Sequence, residues 1–197
     1  MNKISEWFRN KSKVVKVAVA AVIVFALGAI IVGLGYYPVI TEGNHFISRA
    51  SFDKNYATAS FYYYNVLRKT YLAETKEEDV LKPLDIEKTV LEQLVENSII
   101  EREARLELGK DLQDLIQKKI ATYGDDAKFR DVAKKLYGLS YDDFKNELLV
   151  PQAKKDALAA QFFLQGKNFE DWLSEAKKSA KVRVFLNGLR WQDGEAK

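Results

Sequence analysis

From Val17 to Leu34 the chain runs without a charge or a strongly polar side chain. Eleven of these eighteen positions are Val, Ile, Leu or Phe, a pattern that predicts a helix apolar on every face. With Gly35, Tyr36 and Tyr37 the run would extend about 31 Å as a helix, close to one hydrocarbon core. The pattern therefore predicts a transmembrane helix over residues 17–37, with the two tyrosines at the water interface. A cleaved signal peptide is the competing reading, because Gly33 and Gly35 put small residues at the two cleavage-site positions. The length of the stretch favours a retained anchor. Gly28 and Gly33 are five apart rather than four, so no helix-dimerisation motif is read there.

Beyond Tyr37 the pattern changes. Val39 to Thr41 and Phe46-Ile47 are short β-type runs around Gly43-Asn44, which predicts a hairpin turn. Ser48 then caps a helix running to about Thr75, with Phe52, Tyr56, Ala59, Tyr63, Val66 and Leu67 facing a core. Residues 76–84 form a charged connection containing Pro83. Asp85 caps a second helix that ends at Gly109. Its core stripe is Val90, Leu91, Leu94, Val95, Ser98 and Ile99, continuing to Leu106. Its opposite face, with Glu87, Glu92, Glu96, Glu103 and Arg105, is expected to be solvated. Two shorter helices end at Gly124 and Gly138. Ser140 caps a helix running toward Gln165-Gly166, and Pro151 inside it predicts a kink near Leu149 or two abutting helices. Asn168 caps the last helix.

The C-terminal pattern returns to period two. Val182, Val184 and Leu186 alternate with Arg183 and Phe185, and Asn187-Gly188 comes next, which predicts a second hairpin with strands near 181–186 and 189–191. An isolated two-stranded hairpin is marginal in water. The expectation is therefore that strand pieces from both ends of the domain pair and cover each other's edges. The predicted fold class is mainly α: a transmembrane helix, then a helical domain over 38–197 with a small β-sheet formed by N- and C-terminal strand pieces.

Charge adds an orientation. Residues 1–37 hold five bases (Lys3, Arg9, Lys11, Lys13, Lys16) and one acid, Glu6. All the bases precede the apolar run, so the positive-inside rule places 1–16 in the cytoplasm and 38–197 outside it. Residues 38–197 hold 26 bases and 27 acids, a near-neutral balance that argues against a nucleic-acid partner. There is no cysteine, which removes disulfides, thiol catalysis and Cys-based metal sites, and His45 is the only histidine. Apolar residues make up 47% and charged residues 30% of the chain, which is globular composition.

Few residues point to chemistry. Asp125-Asp126 and Asp142-Asp143 sit at predicted helix starts, where the helix dipole favours negative charge without any catalytic role. His45 lies in a predicted turn with no partner in sequence. Gly-rich phosphate loops, nucleophile elbows and zinc-protease motifs are absent from the sequence. No cofactor or metal is expected. The aromatic helix is more informative. Phe52, Tyr56, Tyr63 and Leu67 make one stripe; Phe61, Tyr64, Arg68 and Tyr71 make a second with its own helical spacing. Either the second stripe holds unfolded segments through broad, weak contact, or it packs on another helix or on lipid headgroups. Phe162-Phe163 poses the same choice, since adjacent helical positions point about 100° apart. Phe61, Tyr64, Tyr71 and Phe163 are the candidate client-binding residues.

The order of these pieces resembles a known family. A membrane helix, a strand, a Gly-Asn turn followed by "FISRASF", the helix "VLEQLVENSIIEREARLELG" and then "LSYDDFKNELLVPQAKKDAL" are similar to the N-terminal chaperone region of SurA-, PpiD- and PrsA-type foldases, a region that trigger factor's arms share. Leu91, Leu94, Val95, Ile99, Ile100, Ala104 and Gly109 match the family's helix pattern, with one extra residue before the glycine. The Gly43-Asn44 order is swapped relative to the family. The resemblance covers residues 38–186 and implies an open, helix-lined chaperone domain. Relatives usually carry a parvulin isomerase domain with paired histidines, which this chain lacks, so peptidylprolyl isomerase activity is not carried over. The expectation is a membrane-tethered, extracytoplasmic holdase that binds unfolded or newly exported polypeptides without catalysis. An adaptor docking one specific envelope partner is the alternative, and an isomerase or other enzyme the third.

Overall fold

The computed structural model describes residues 13–67, 82–124 and 127–197, which divide into two compact units, 1–37 and 38–197. In the first, helix α1 spans Lys13–Gly33. Gly35 at φ +73° closes it: Gly35 N–H donates to the Val32 carbonyl and Tyr36 N–H to that of Ile31, both at 3.0 Å, the paired bonds of a Schellman cap. The helix thus stops four residues before the expected Tyr37, and its uncharged stretch is about 25 Å long rather than 31 Å. Among the described residues no helix is long and apolar enough to cross a membrane. Val17, Val22, Val24, Phe25, Ile30 and Val32 are all more than half exposed, so the apolar surface of α1 is unburied on several sides.

The second unit opens with β1 (Pro38–Glu42) and β2 (His45–Ser48), antiparallel across a two-residue loop. Gly43 has φ +56° and Asn44 a negative φ, so the swapped order gives the glycine-first arrangement of a type II′ turn. β3 (Val182–Val184) joins the other side of β1, giving the order β2-β1-β3. Ile40 pairs with Val184, Thr41 with Arg183 and Glu42 with Val182. The ends of the domain therefore meet as expected.

Ser48 caps α2 (Arg49–Tyr62), its side chain accepting from Ser51 N–H at 3.2 Å. The helix widens into a π-turn at Tyr63–Leu67; the expected continuation to Thr75 lies outside the described residues. Helix α3 (Pro83–Leu108) is the central element. Its cap is Lys82 rather than Asp85. Pro83 occupies the first helical position, where its missing N–H is harmless, and the Asp85 carboxylate reaches back to accept Lys82 N–H at 2.9 Å. Val90, Leu91, Val95 and Ile99 are buried as expected, each contributing roughly 1.5–3 kcal/mol of transfer free energy. Leu106 is not: it is 74% exposed, and Ile100 and Ala104 carry the stripe instead.

The face of α3 expected to be solvated is covered in part, at Glu92 and Glu96, while Arg105 is exposed as expected. Glu92 accepts Ala196 N–H at 3.0 Å, and Glu96 pairs with Lys155 at 2.9 Å. A short 3₁₀ turn leads to α4 (Leu112–Tyr123) and then α5 (Ala127–Tyr137), which end at Gly124 and Gly138 as the sequence predicts. Ser140 caps α6 (Tyr141–Phe144). Pro151 makes its mark as a π-turn over Lys145–Leu149, in which Val150 N–H reaches back to the Lys145 carbonyl. Helix α7 (Val150–Leu164) comes next, packing on α3 and α4. Asn168 caps α8 (Phe169–Ser179) by accepting from Glu170 and Asp171 N–H groups.

The predicted hairpin at Asn187-Gly188 does not form. Only Gly188 has positive φ there, the pattern of a type II turn, which splays flanking strands instead of pairing them. The hairpin sits six residues on. Asp193 at φ +54° and Gly194 at φ +85° make the doubly left-handed turn that joins β4 (Trp191–Gln192) to β5 (Glu195–Ala196). Leu189 and Ala196 are buried in the core, so the last residues are part of the fold.

Candidate functional site

Between α2, α3, α5 and the second π-turn lies a pocket of about 240 Å³. Ala59, Tyr62, Tyr63, Ile86, Tyr137 and Leu148 supply its apolar lining, and Asn55, Thr58, Thr89, Gln93 and Glu147 its polar groups. Tyr62 and Tyr137 stack with ring centroids 5.1 Å apart and planes 9° from parallel. Tyr137 also leans on Phe144 at 5.2 Å. Burial, and to a lesser degree the neighbouring Tyr62 phenol, holds the Tyr137 hydroxyl above the ordinary tyrosine pKa.

The polar rim is fixed by one cation. Lys54 on α2 donates to Asp143 at 2.7 Å and to Glu147 at 2.9 Å. These hydrogen bonds raise the Lys54 pKa, and Lys54 in turn lowers that of Asp143. Asn55 Nδ2 shares its protons between the Ser51 carbonyl at 3.0 Å and Glu147 at 3.4 Å. Both partners of Lys54 stand on the stretch carrying the Pro151-associated π-turn. One wall of the pocket is thus tied to the other by charge as well as by aromatic stacking.

Of the four residues singled out from sequence, Phe61, Tyr64 and Phe163 do not line this pocket. Phe61 is 37% exposed and lies against Gly138, where an added Cβ would be only 3.1 Å from its ring. Tyr64 is half-buried, meets Tyr63 edge to face at 5.0 Å and packs on the core, so it takes the packing role. Tyr71 lies outside the described residues. Phe163 is 81% exposed at the end of α7, while its neighbour Phe162 is core at 1%. Sequence reasoning missed Tyr62 and Tyr137. Tyr137 carried a signal, an aromatic directly before the helix-ending Gly138, but its partner is distant in sequence.

A second, larger cleft of about 560 Å³ is lined by Glu42, Arg102, Glu103, Trp172 and Lys181 among others. Glu42, only 2% exposed, is the buried charge of the described core; Arg102 and Ser98 both donate to it. Both carboxylate oxygens of Glu42 are thus engaged. His45 is exposed, and it stands as the first residue of β2, paired with Glu42, rather than in the turn where the sequence reading put it. Asp142 and Asp143 sit in the first turn of α6 under Ser140, a capping arrangement, and Asp125 and Asp126 lie outside the described residues. Among the described residues no cluster of three or more His, Asp or Glu side chains is placed to hold a metal ion. Comparison with protein families, with curated proteins and with solved structures finds no match to this chain.

Proposed function

We propose that this chain is a membrane-anchored, extracytoplasmic holdase that binds unfolded or newly exported polypeptides without catalysis or a cofactor. One observation carries the reading: the tyrosine-lined pocket. At about 240 Å³ it is smaller than the roughly 300–1,000 Å³ of drug-sized ligand sites, and matches one or two side chains of a passing segment. Tyrosines give broad apolar contact with a polar tip, a chemistry suited to weak, tolerant binding. The strand pairing of the two domain ends and the order of capped helices accord with the SurA-type resemblance.

The anchor is part of the same proposal. An all-round apolar helix with its surface exposed needs a lipid or protein environment. Its uncharged stretch is short of a full hydrocarbon core, but flanking lysines snorkel and interfacial tyrosines extend the span at modest cost. The basic residues on its N-terminal side put 1–16 in the cytoplasm and the domain outside. A tether near sites of export raises the local concentration of client.

A second reading, an adaptor for one envelope partner, draws on a different feature. Leu106, Phe163 and Leu164 are each at least 74% exposed, on helix ends bridged by Gln165 and Glu107 at 2.8 Å. The test uses the full chain in lipid nanodiscs and three unrelated chemically unfolded proteins. Suppressed aggregation of all three, lost in Tyr137→Ser but kept in Phe163→Ser, supports the holdase. Suppression of none, or only of one with the Phe163 variant as the inactive one, sinks it in favour of the adaptor.

A further inference from the structure

The outward face of the three-stranded sheet is aromatic and basic. Thr41 in the central strand pairs with Phe46 on one side and with Arg183 on the other, so these three residues form one row across the sheet. Phe46 is 66% exposed. Along β3 and its flanks the same alternation exposes Lys181, Arg183 and Phe185, while Val182 and Val184 pack on the core. Phe185 is 60% exposed, yet its N–H donates to the Val39 carbonyl at 2.8 Å, so its backbone is held. On the opposite face stand Ile40, Ile47, Val182 and Val184 with Glu42, which is paired with Arg102, and the exposed His45 opposite Glu42 at the turn end. The outer face thus combines two exposed aromatic rings with two cations, and a water-facing strand has no need of the rings.

Covalent connection supplies the occupant. β1 begins at Pro38, the residue directly after Tyr37. Val39 is two residues from Tyr37, a reach of at most about 7 Å. Phe185, hydrogen-bonded to Val39, is therefore tethered close to where the apolar segment ends. Aromatic rings beside Lys and Arg are the composition of a surface resting at the lipid interface, with rings at headgroup depth and cations on anionic phosphates.

We infer that the Phe46–Arg183–Phe185 face of the sheet is a lipid-docking surface that seats the domain on the headgroups of an anionic bilayer. The inference rests on the reading that residues 17–37 enter that bilayer. It gives the paired chain ends a role beyond stability: the closing strand also sets how the domain stands on the membrane.

The chain has no cysteine, so single-cysteine probes need no background removal. Phe25→Cys, Phe46→Cys, Phe185→Cys and Phe163→Cys would each carry a bimane label on the full chain. Each is reconstituted into vesicles of phosphatidylcholine and phosphatidylglycerol containing nitroxide-headgroup or nitroxide-chain lipid. The expected result is strong chain-nitroxide quenching at 25, headgroup-nitroxide quenching at 46 and 185 at least twofold above that at 163, and a drop to the level of 163 when Lys181→Glu and Arg183→Glu are combined with the probe. Quenching at 25 with 46 and 185 no higher than 163 overturns the docking surface and leaves the anchor standing. Absence of quenching at 25 removes the anchor and the docking surface with it. Quenching at 46 and 185 that survives the charge reversal overturns the electrostatic part.

Discussion

The Glu42 carboxylate and the Arg102 guanidinium form an ion pair with only one member out of water: Glu42 is 2% exposed and Arg102 40%. The pair joins the last residue of β1 to the C-terminal third of α3, sixty positions away. Ser98 on the same helix donates a second hydrogen bond at 3.2 Å. A carboxylate taken out of water is tolerated because both oxygens are engaged.

Removing the outer partner should therefore hurt more than removing the charge. Arg102→Ala leaves a buried, half-satisfied carboxylate and should cost about 2–4 kcal/mol. Glu42→Gln keeps hydrogen bonding without the charge and should cost about half as much. Urea unfolding of both variants measures the order, and a larger loss for Glu42→Gln would show that the buried charge itself stabilises the sheet.

Gly138 is a backbone requirement twice over. Its φ is +69°, in the left-handed region, and an added Cβ would stand 3.1–3.3 Å from three atoms of the Phe61 ring. Gly138→Ala should cost about 1–3 kcal/mol from the left-handed backbone and the crowding together. Phe61→Ala should restore part of that loss by opening the space. A double-mutant cycle by thermal melting gives the coupling, and strict additivity would show that Phe61 is not what the glycine accommodates.

Much of this fold was legible because caps and breakers act locally. Ser48, Ser140 and Asn168 cap because their side chains reach N–H groups two or three residues on; Gly109, Gly124 and Gly138 end helices because they accept positive φ. The pairing of Ile40 with Val184 was legible from edge protection alone. Other features depended on what a residue meets far away. Glu92 and Glu96 look like a solvated face until the C-terminal strands and α7 cover them. Asn187-Gly188 is the stronger hairpin dipeptide, but the two strands flanking Asp193-Gly194 are the ones that can close. Tyr64 packs against the core instead of facing outward for a reason local to its turn. Helical phase was extrapolated through Tyr63–Leu67 at 3.6 residues per turn, whereas a π-turn takes up more residues per turn and rotates the side chains beyond it. That shift turns Tyr64 toward the core.

The charged rim of the pocket sets a pH window. Asp143, held low mainly by its hydrogen bond from Lys54 and further by Ser140, contributes stability above its unfolded pKa that is lost as pH falls through its folded value. Glu101 behaves alike: burial pushes it up, but Lys154 and Arg105 outweigh burial and hold it low. Lys54 is raised by Asp143 and then Glu147, so its contribution holds below its unfolded pKa and fades as pH rises through the folded one. The melting temperature should be flat near neutrality and fall below about pH 4, the ordinary carboxylate range. Asp143→Asn should flatten part of the acid limb. Because Asp143 is exposed, 1 M salt should shrink the difference between variant and parent. An unchanged acid limb in Asp143→Asn would show that the Lys54 bridge contributes nothing to folding.

Residues 181–197 should be indispensable to the domain. β3 covers one edge of β1, and Leu189 and Ala196 enter the same core as Ile40, itself fully buried. Ending the chain at Ala180 would bare the β1 edge, leave Glu92 without its Ala196 partner and uncover the α3 face beneath. An uncovered edge beside buried apolar residues invites intermolecular pairing. Truncation should therefore abolish cooperative unfolding or yield aggregates. Ile40→Ala, which keeps every strand but empties the sheet's inner face, should lose about 2–5 kcal/mol while staying cooperative. Arg183→Ala, on the outward face of the same closing strand, should stay within about 0.5 kcal/mol of the parent. Circular dichroism melts of the three would separate the roles of edge, core and outer face. A truncated chain that melts cooperatively near the parent temperature would mean that the strand from the far end closes nothing.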